Sequence, residues 1–489
     1  MGIWTRDDRE GGYEWGMSKT FREWNPEQSV LFPASVLDLV PAGHLVHFVR
    51  NVVSEQLDLS KILGCYEEER GYPPYHPVMM TALLLYANAA GIYSSRRIAR
   101  ACQERVDFMA LTGMQKPDFR TISLFRLRHL EALKGLFKQV LKLCKKAGMV
   151  KLGHVALDGT KIRANASVYK NMSYGKMKKA EKDLKAEVDR WFEDAERIDR
   201  EEDELYGADK SGDELPEWVA DKQKRLEKIQ QAKAELEAEA KAELERGPDP
   251  VKNTHKPKPT GTPPDPVKRN FTDPESRLMK TSHGFIQAYN AQAAVDSHSQ
   301  VIVAQSVANT GSDAHQMMPL LEQIRRNLRQ QAKEVSADSS YCSELNLKGL
   351  RKRRIRGYVA TDRQDKDRNV GLWVQRMRKR LKQGGWRSRY RLRKQTVEPV
   401  FGLIKQARGF RQFLLRGQNK VAAEWSLLCT AHNLLKLAAV QGSRNGSQSH
   451  FSISLLGAGL LILRSFSFFG RWLVSRFLEN SPNQLIPLT

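Results

Sequence analysis

The chain has 489 residues and a formal charge of +24, enough length for several domains and an excess that points to a polyanionic partner, nucleic acid before an anionic membrane surface. Five scattered cysteines (Cys65, Cys102, Cys144, Cys342, Cys429), with no CxxC pair and no Cys/His cluster, exclude a Cys/His zinc site and fit a reducing compartment. The charge is uneven: from Arg351 to Lys420 there are 23 Lys and Arg against Asp362, Asp365, Asp367 and Glu398, a net +19.

The first 28 residues carry no periodic pattern and no apolar signal region. They read as a poorly ordered segment of a cytoplasmic, nucleoid-associated protein, with Met17 a candidate start. Residues 29–150 read as a helical domain. "HPVMMTALLLYANAAG" is an apolar helix closed by Gly91. "SSRRIARACQERVDFMALTG" follows as a second helix, with Ser94 or Ser95 as N-cap and Arg96, Arg97, Arg100 and Arg105 along it. Two readings fit this pair: an ordinary helical bundle with solvated arginines, or a helix-turn-helix. A third helix runs from near Thr121 to Gly148.

In "KLGHVALDGTKIRANAS" an apolar strand ends on Asp158, followed by a small turn at Gly159 and Thr160. Residues 170–250 then carry two Glu/Lys-spaced helical stretches, read as an antiparallel helical hairpin inserted in the fold. Residues 251–269 are a Pro-rich linker. From Gly284 the period changes to two, predicting a pair of strands about a turn at Asp296 to Gln300. A helix, a short strand ending at Asp338, a helix, the short strand "IRGYVATDR" and two closing helices complete a core over 151–169 and 270–440. This order predicts an α/β fold, a mixed sheet flanked by helices. The tail, 441–489, contains an apolar run from Phe451 that is interrupted at Arg464. Its uninterrupted part is shorter than the roughly 18–20 residues of a membrane span. A span with a tolerated arginine, an amphipathic tail and a non-native tail from a shifted reading frame all fit it.

Three carboxylates stand out. Asp158 and Asp338 each close a short apolar strand, and Glu398 opens a helix, where the helix dipole favours an acid. Oxygen donors of this kind suit Mg²⁺ or Mn²⁺, and two such ions support phosphoryl transfer. Tyr390, Arg391, Arg393, Lys394, Lys405 and Arg408 lie nearby as candidate phosphate contacts. Asp362 also ends a strand and is the rival for the second acid; Asp296 reads as a turn residue and His283 as structural.

Four segments in this order, "LDGTKIRANAS", "KTSHGFIQAYNAQAAVD", "ADSSYCSE" and "VEPVFGLIKQARGFRQFLLRG", resemble the bacterial insertion-sequence transposases of the DDE class. The resemblance runs from about Phe21 to Leu437 and implies a ribonuclease-H-like catalytic core. It implies Asp158, Asp338 and Glu398 as a metal-binding catalytic triad for Mg²⁺ or Mn²⁺. The family's signature around the third acid is Tyr, two residues, Arg, three residues, Glu, six residues, Lys. Glu398 and Lys405 keep that spacing, whereas four residues separate Arg393 from Glu398 and Lys394 takes the spacing-correct place. The resemblance further implies double-stranded DNA as partner, both element ends and target, and a homo-oligomer that pairs two ends; Arg96 and Arg97, on the arginine-rich second helix, are the DNA-contact candidates of the helix-turn-helix reading. The rival reading is a DNA-binding regulator or degenerate copy without catalysis.

Overall fold

The computed structural model describes residues 35–66, 74–206, 217–246, 260–281, 284–361, 371–385 and 388–444. The segment from Phe451, Asp362, His283 and Met17 lie outside them. Among the described residues no helix is long and apolar enough to cross a membrane.

The chain begins with helices: α1 (Leu45–Asn51), α2 (Ser60–Leu63), α3 (Pro77–Ala89), α4 (Ser95–Glu104), α5 (Val106–Thr112), α6 (Phe119–Arg128) and α7 (Leu130–Lys146). α3 starts where its sequence says it must. Pro77 sits in the first turn, where no N–H is missed, and His76 accepts from Val78 N. Gly91, at φ +76°, ends it. Two expected helices are each divided. Arg105 is extended between α4 and α5, because Asp107 in the first turn of α5 holds both Arg105 (Nη2, 2.6 Å) and the Tyr86 hydroxyl. The helix expected from Thr121 starts at Phe119 and breaks at His129, whose Nε2 lies 3.0 Å from the Tyr66 hydroxyl. Both breaks are set by partners distant in sequence. Ser94 occupies the N-cap of α4 without a side-chain hydrogen bond.

β1 (His154–Arg163) does not end at Asp158, and Gly159–Thr160 is not a turn. The strand runs ten residues because a longer one, β5, pairs with it antiparallel from Val155↔Asp296 to Arg163↔Ala288. β2 (Asn171–Ser173) precedes α8 (Tyr174–Tyr206) and α9 (Glu217–Arg246). These two helices lie antiparallel, with Tyr174 bonded to Glu237 and with Lys233–Glu181 and Lys222–Glu187 ion pairs. A small core of Tyr174, Met177, Ile229, Ala232 and Leu236 joins them. β3 (Lys268–Asn270) pairs with β2, and its buried Arg269 reaches Glu235 (2.5 Å) and Glu239 (2.7 Å) on α9.

The remaining elements are β4 (Arg277–Thr281), β5 (Gly284–Asp296), β6 (Ile302–Ala308), α10 (Met317–Leu328), β7 (Glu334–Ala337), α11 (Glu344–Lys352), β8 (Arg356–Val359), α12 (Leu372–Gly384), α13 (Leu392–Gly402) and α14 (Gln418–Arg444). β5 and β6 form the hairpin read from the period-two pattern. Asp296 closes its turn, accepting from His298 N (2.8 Å) and from Leu152 N (2.6 Å). The mixed sheet runs β4–β5–β1–β7–β8, with β6 also on β5. β1, β7 and β8 are parallel; the other pairs are antiparallel.

α14 is buried nearly all round against α7, α3 and β6. Its Asn433 takes both the N–H and the carbonyl of Ile302 (2.9 Å each), satisfying strand groups that a helix neighbour would otherwise orphan. One continuous apolar core extends from Val40 through the N-terminal helices and the sheet to Leu437.

Candidate active site

The site is built by register. Parallel pairing of β1 and β7 sets Ala156 against Ser336. Two residues further along stand Asp158, still within β1, and Asp338, the first residue after β7. Asp158 continues β1 past the end of that parallel pair, while Asp338 leaves β7 and caps the short turn Ser339–Tyr341, accepting from Ser340 N at 3.0 Å.

α13 supplies the third acid. Glu398 lies in the interior of this helix, not in its first turn as the sequence suggested. Pro399 does not stop the helix. It removes the N–H that would bond Gln395 O, and Gln300 Nε2 takes that carbonyl instead at 3.0 Å.

Arg393, one turn earlier, sits between the acids. Its Nη1 is 2.7 Å from Asp158 Oδ2 and its Nη2 is 3.6 Å from Glu398 Oε1. The side chains of Arg393 and Asp158 are 12% and 15% exposed and that of Glu398 is 51% exposed, so the arginine faces the buried carboxylate. This separates the two candidates of the altered spacing: Arg393 turns into the acid site and Lys394 is exposed. Burial pushes the Asp158 carboxyl up to about 6; Arg393 opposes the rise, and Asp338 and Asp313 add to it. Burial works against the Arg393 charge, but Asp158, Tyr390 and Asp338 hold it above its ordinary value. Burial lowers Lys405, with Asp158 as the opposing influence, and its Nζ reaches Lys161 O at 3.3 Å.

Arg408 is not beside the acids on an exposed face. It is 6% exposed, because it continues the buried stripe Val400, Ile404 at helical spacing. Neither terminal guanidinium nitrogen has a hydrogen-bond partner among the described residues. Its carbonyl docks the N-terminal helices: the Tyr93 hydroxyl donates to it at 2.9 Å. A Cβ on Gly91 would stand 3.0 Å from the same oxygen. Arg96 and Arg97 are exposed on α4, Arg96 lying over the Phe119 ring at 5.2 Å. Tyr390 and Arg391 fall in the turn Arg389–Arg391 that leads into α13.

A fourth carboxylate, Asp313, was not foreseen. It accepts from Asn290 Nδ2 (2.6 Å) and Gln292 Nε2 (2.5 Å) on one oxygen and from Ser340 Oγ (2.7 Å) on the other. Its sequence signal lies in β5, where Asn290 and Gln292 alternate on one face of an otherwise apolar strand and are 2% and 0% exposed. Buried amides at period two announce a polar network. Gly159 is explained by the same network, since a Cβ there would fall 2.6 Å from Asp313 Oδ1 and 2.9 Å from Asn290 Oδ1 and would overlap the Gln292 amide.

Hard oxygen donors suit Mg²⁺ or Mn²⁺, and the Arg393 guanidinium lies within ion-pair distance of both Asp158 and Glu398. As they stand, no three His, Cys, Asp or Glu side chains among the described residues converge on one point. Arg393 keeps Asp158 and Glu398 on either side of itself.

The transposase DDE domain matches residues 256–434, and a transposase domain (DUF772) matches residues 34–128. Asp338 and Glu398 fall inside the first match; Asp158 falls between the two. No curated protein and no solved structure matches the chain.

Proposed function

Because the chain belongs to the insertion-sequence transposases of the DDE class, we propose that it binds the terminal inverted repeats of its own element, cleaves DNA there, and joins the freed 3′ ends to target DNA. The observation that carries this reading is the shared register of β1 and β7, which aligns Asp158 with Asp338, while Arg393 ties Asp158 to Glu398. Asp158, Asp338 and Glu398 are the residues that would hold Mg²⁺ or Mn²⁺. Bound there, the ion supplies activation of the attacking oxygen and charge stabilisation of the leaving one.

The chain's own groups do the rest. Arg393 balances the charge of Asp158 and Glu398 and is a guanidinium suited to a DNA phosphate. Lys394, Lys405 and Tyr390 line the approach, and Arg96 and Arg97 hold the element end through α4. Such phosphate contacts make binding steeply salt-dependent. The antiparallel strands β6, β5 and β1 followed by parallel β7 and β8 support a ribonuclease-H-like core. On that reading α8 and α9 are an insertion, which we assign to assembly of the oligomer that pairs two ends. A variant lacking residues 174–246 that stays monomeric yet pairs ends normally discards that assignment.

The test incubates the full chain with its gene's flanking DNA in Mg²⁺, Mn²⁺ or EDTA, beside Asp158→Ala and Glu398→Ala. Metal-dependent cleavage at the element ends, lost in both variants while DNA binding persists, is the expected result. Binding without cleavage by the parent chain favours a regulator or an inactive copy.

A further inference from the structure

Asp313 has an elaborate support that the triad does not account for. The Tyr341 hydroxyl, wholly buried, donates to Gln292 Oε1. That leaves the Gln292 amino group to face Asn290 Oδ1 (3.0 Å) and Asp313 Oδ1 (2.5 Å). Asn290 adds a second donor to the same carboxylate oxygen at 2.6 Å. Buried amides are costly unless every group is bonded. Here two of them direct their donors at one oxygen of one acid, so the orientation of Asp313 is fixed from inside the sheet.

Its other oxygen meets Asp338 through a single atom. Ser340 Oγ lies 2.7 Å from Asp313 Oδ2 and 2.6 Å from Asp338 Oδ1. A hydroxyl has one hydrogen to give. Asp338 Oδ1 also receives the Ser340 backbone N–H at 3.0 Å, so Ser340 shares its one hydroxyl hydrogen between the two carboxylates and links them. We propose that Asp313 is a positioning residue for the cleavage site: braced by Asn290 and Gln292, it anchors the Ser340 hydroxyl that also contacts Asp338, and so fixes the Asp338 carboxylate beside Asp158. This rests on the transposase reading of Asp158, Asp338 and Glu398. Partners that orient a ligand from behind change metal affinity or activity by about 10–100-fold when removed.

The experiment measures Mn²⁺ binding to the full chain without DNA, from the electron paramagnetic resonance of the free ion. The chains compared are the parent, Asp158→Ala, Asp313→Asn, Ser340→Ala, Ser340→Thr and the Asp313→Asn/Ser340→Ala pair. Asp313→Asn keeps a carbonyl oxygen for Asn290 and Gln292 but turns an amino group to Ser340, which can no longer donate to that position, with little change of shape. Expected are an affinity loss of about tenfold for Asp313→Asn and for Ser340→Ala, no further loss in the pair, and near-parent binding for Ser340→Thr, which keeps the hydroxyl. DNA binding in EDTA stays at the parent level throughout. Parent-like Mn²⁺ binding by Asp313→Asn overturns the proposal, and so do single losses that multiply in the pair. Should Asp313→Asn not fold, Ser340→Ala, at an exposed position, still decides: parent-like binding there also overturns it. Equal binding by the parent and Asp158→Ala removes the transposase reading of the site itself, an outcome distinct from one in which Asp158→Ala loses the ion and Asp313→Asn does not.

Discussion

The rim of the sheet and the paired helices α8 and α9 use charge in opposite ways. α8 and α9 carry many acids and bases, and their pairs stand in water: the side chains of Lys222 and Glu187 are 36% and 44% exposed. The rim carries few, but Asp158, Arg393 and Lys405 are largely withdrawn from solvent: burial raises the Asp158 carboxyl and lowers Lys405, while the acids around Arg393 hold its charge against burial. Charge density along the chain therefore marks a surface, whereas charge held against burial beside opposite charges makes a candidate for chemistry. A cation deep in the acid site is stabilised by its partners; the same cation on α9 gains little from its own.

This contrast can be broken most directly at Gly159. Gly159→Ala forces a methyl group into the Asn290–Gln292–Asp313 cluster. Cleavage should fall by about 100-fold, the scale of a misplacement near 1 Å, while the melting free energy shifts by about 1–3 kcal/mol. A fully active Gly159→Ala chain would show that the rim tolerates movement. Next in size is Arg269→Ala. This arginine is 5% exposed but its partners Glu235 and Glu239 are 36% and 50% exposed. Denaturant unfolding should register a loss of roughly 2 kcal/mol, below the cost of breaking a fully buried pair.

The third prediction sharpens the electrostatics. With the Asp158 carboxyl raised to about 6, a proton competes with any cation below that pH. Apparent Mn²⁺ affinity should drop by up to about tenfold per pH unit as pH falls below about 6 and level off above it. A flat profile from pH 5 to 7 contradicts a buried Asp158. Smallest is Lys222→Ala on the helix pair, expected to change stability by less than about 1 kcal/mol and to fade with added salt.

The acids of the site were differently visible in the sequence. Asp158 and Asp338 stand out as candidates because each follows an apolar run on a strand. Glu398 is a candidate by the family's spacing and reads as opening a helix, but the helix begins at Leu392 and passes through Pro399, which leaves a carbonyl for Gln300 to satisfy. Asp313 was invisible by the same reasoning: it lies in the connection after β6, and its importance comes from the register of β5. β1 was read too short because Gly159 and Thr160 have the composition of a turn, whereas cross-strand pairing decides the matter. The breaks at Arg105 and His129 likewise depend on Tyr86 and Tyr66, partners no local pattern names. Arg408 was misassigned because a base near acids was taken as surface, although its spacing from Ile404 already put it inside.

The N-terminal helices and the sheet share one apolar core, and Tyr93 and Gly91 close directly on the backbone of Arg408, a few residues beyond the helix that carries Glu398. Among the described residues, α4 and the helix that carries Glu398 are tied into this single core. If α4 grips an element end, the stretch of duplex from grip to cut is gauged by the protein as a rigid caliper gauges a part. The cut would then keep its offset when the DNA between is changed in sequence, and would miss when that DNA is changed in length by a few base pairs.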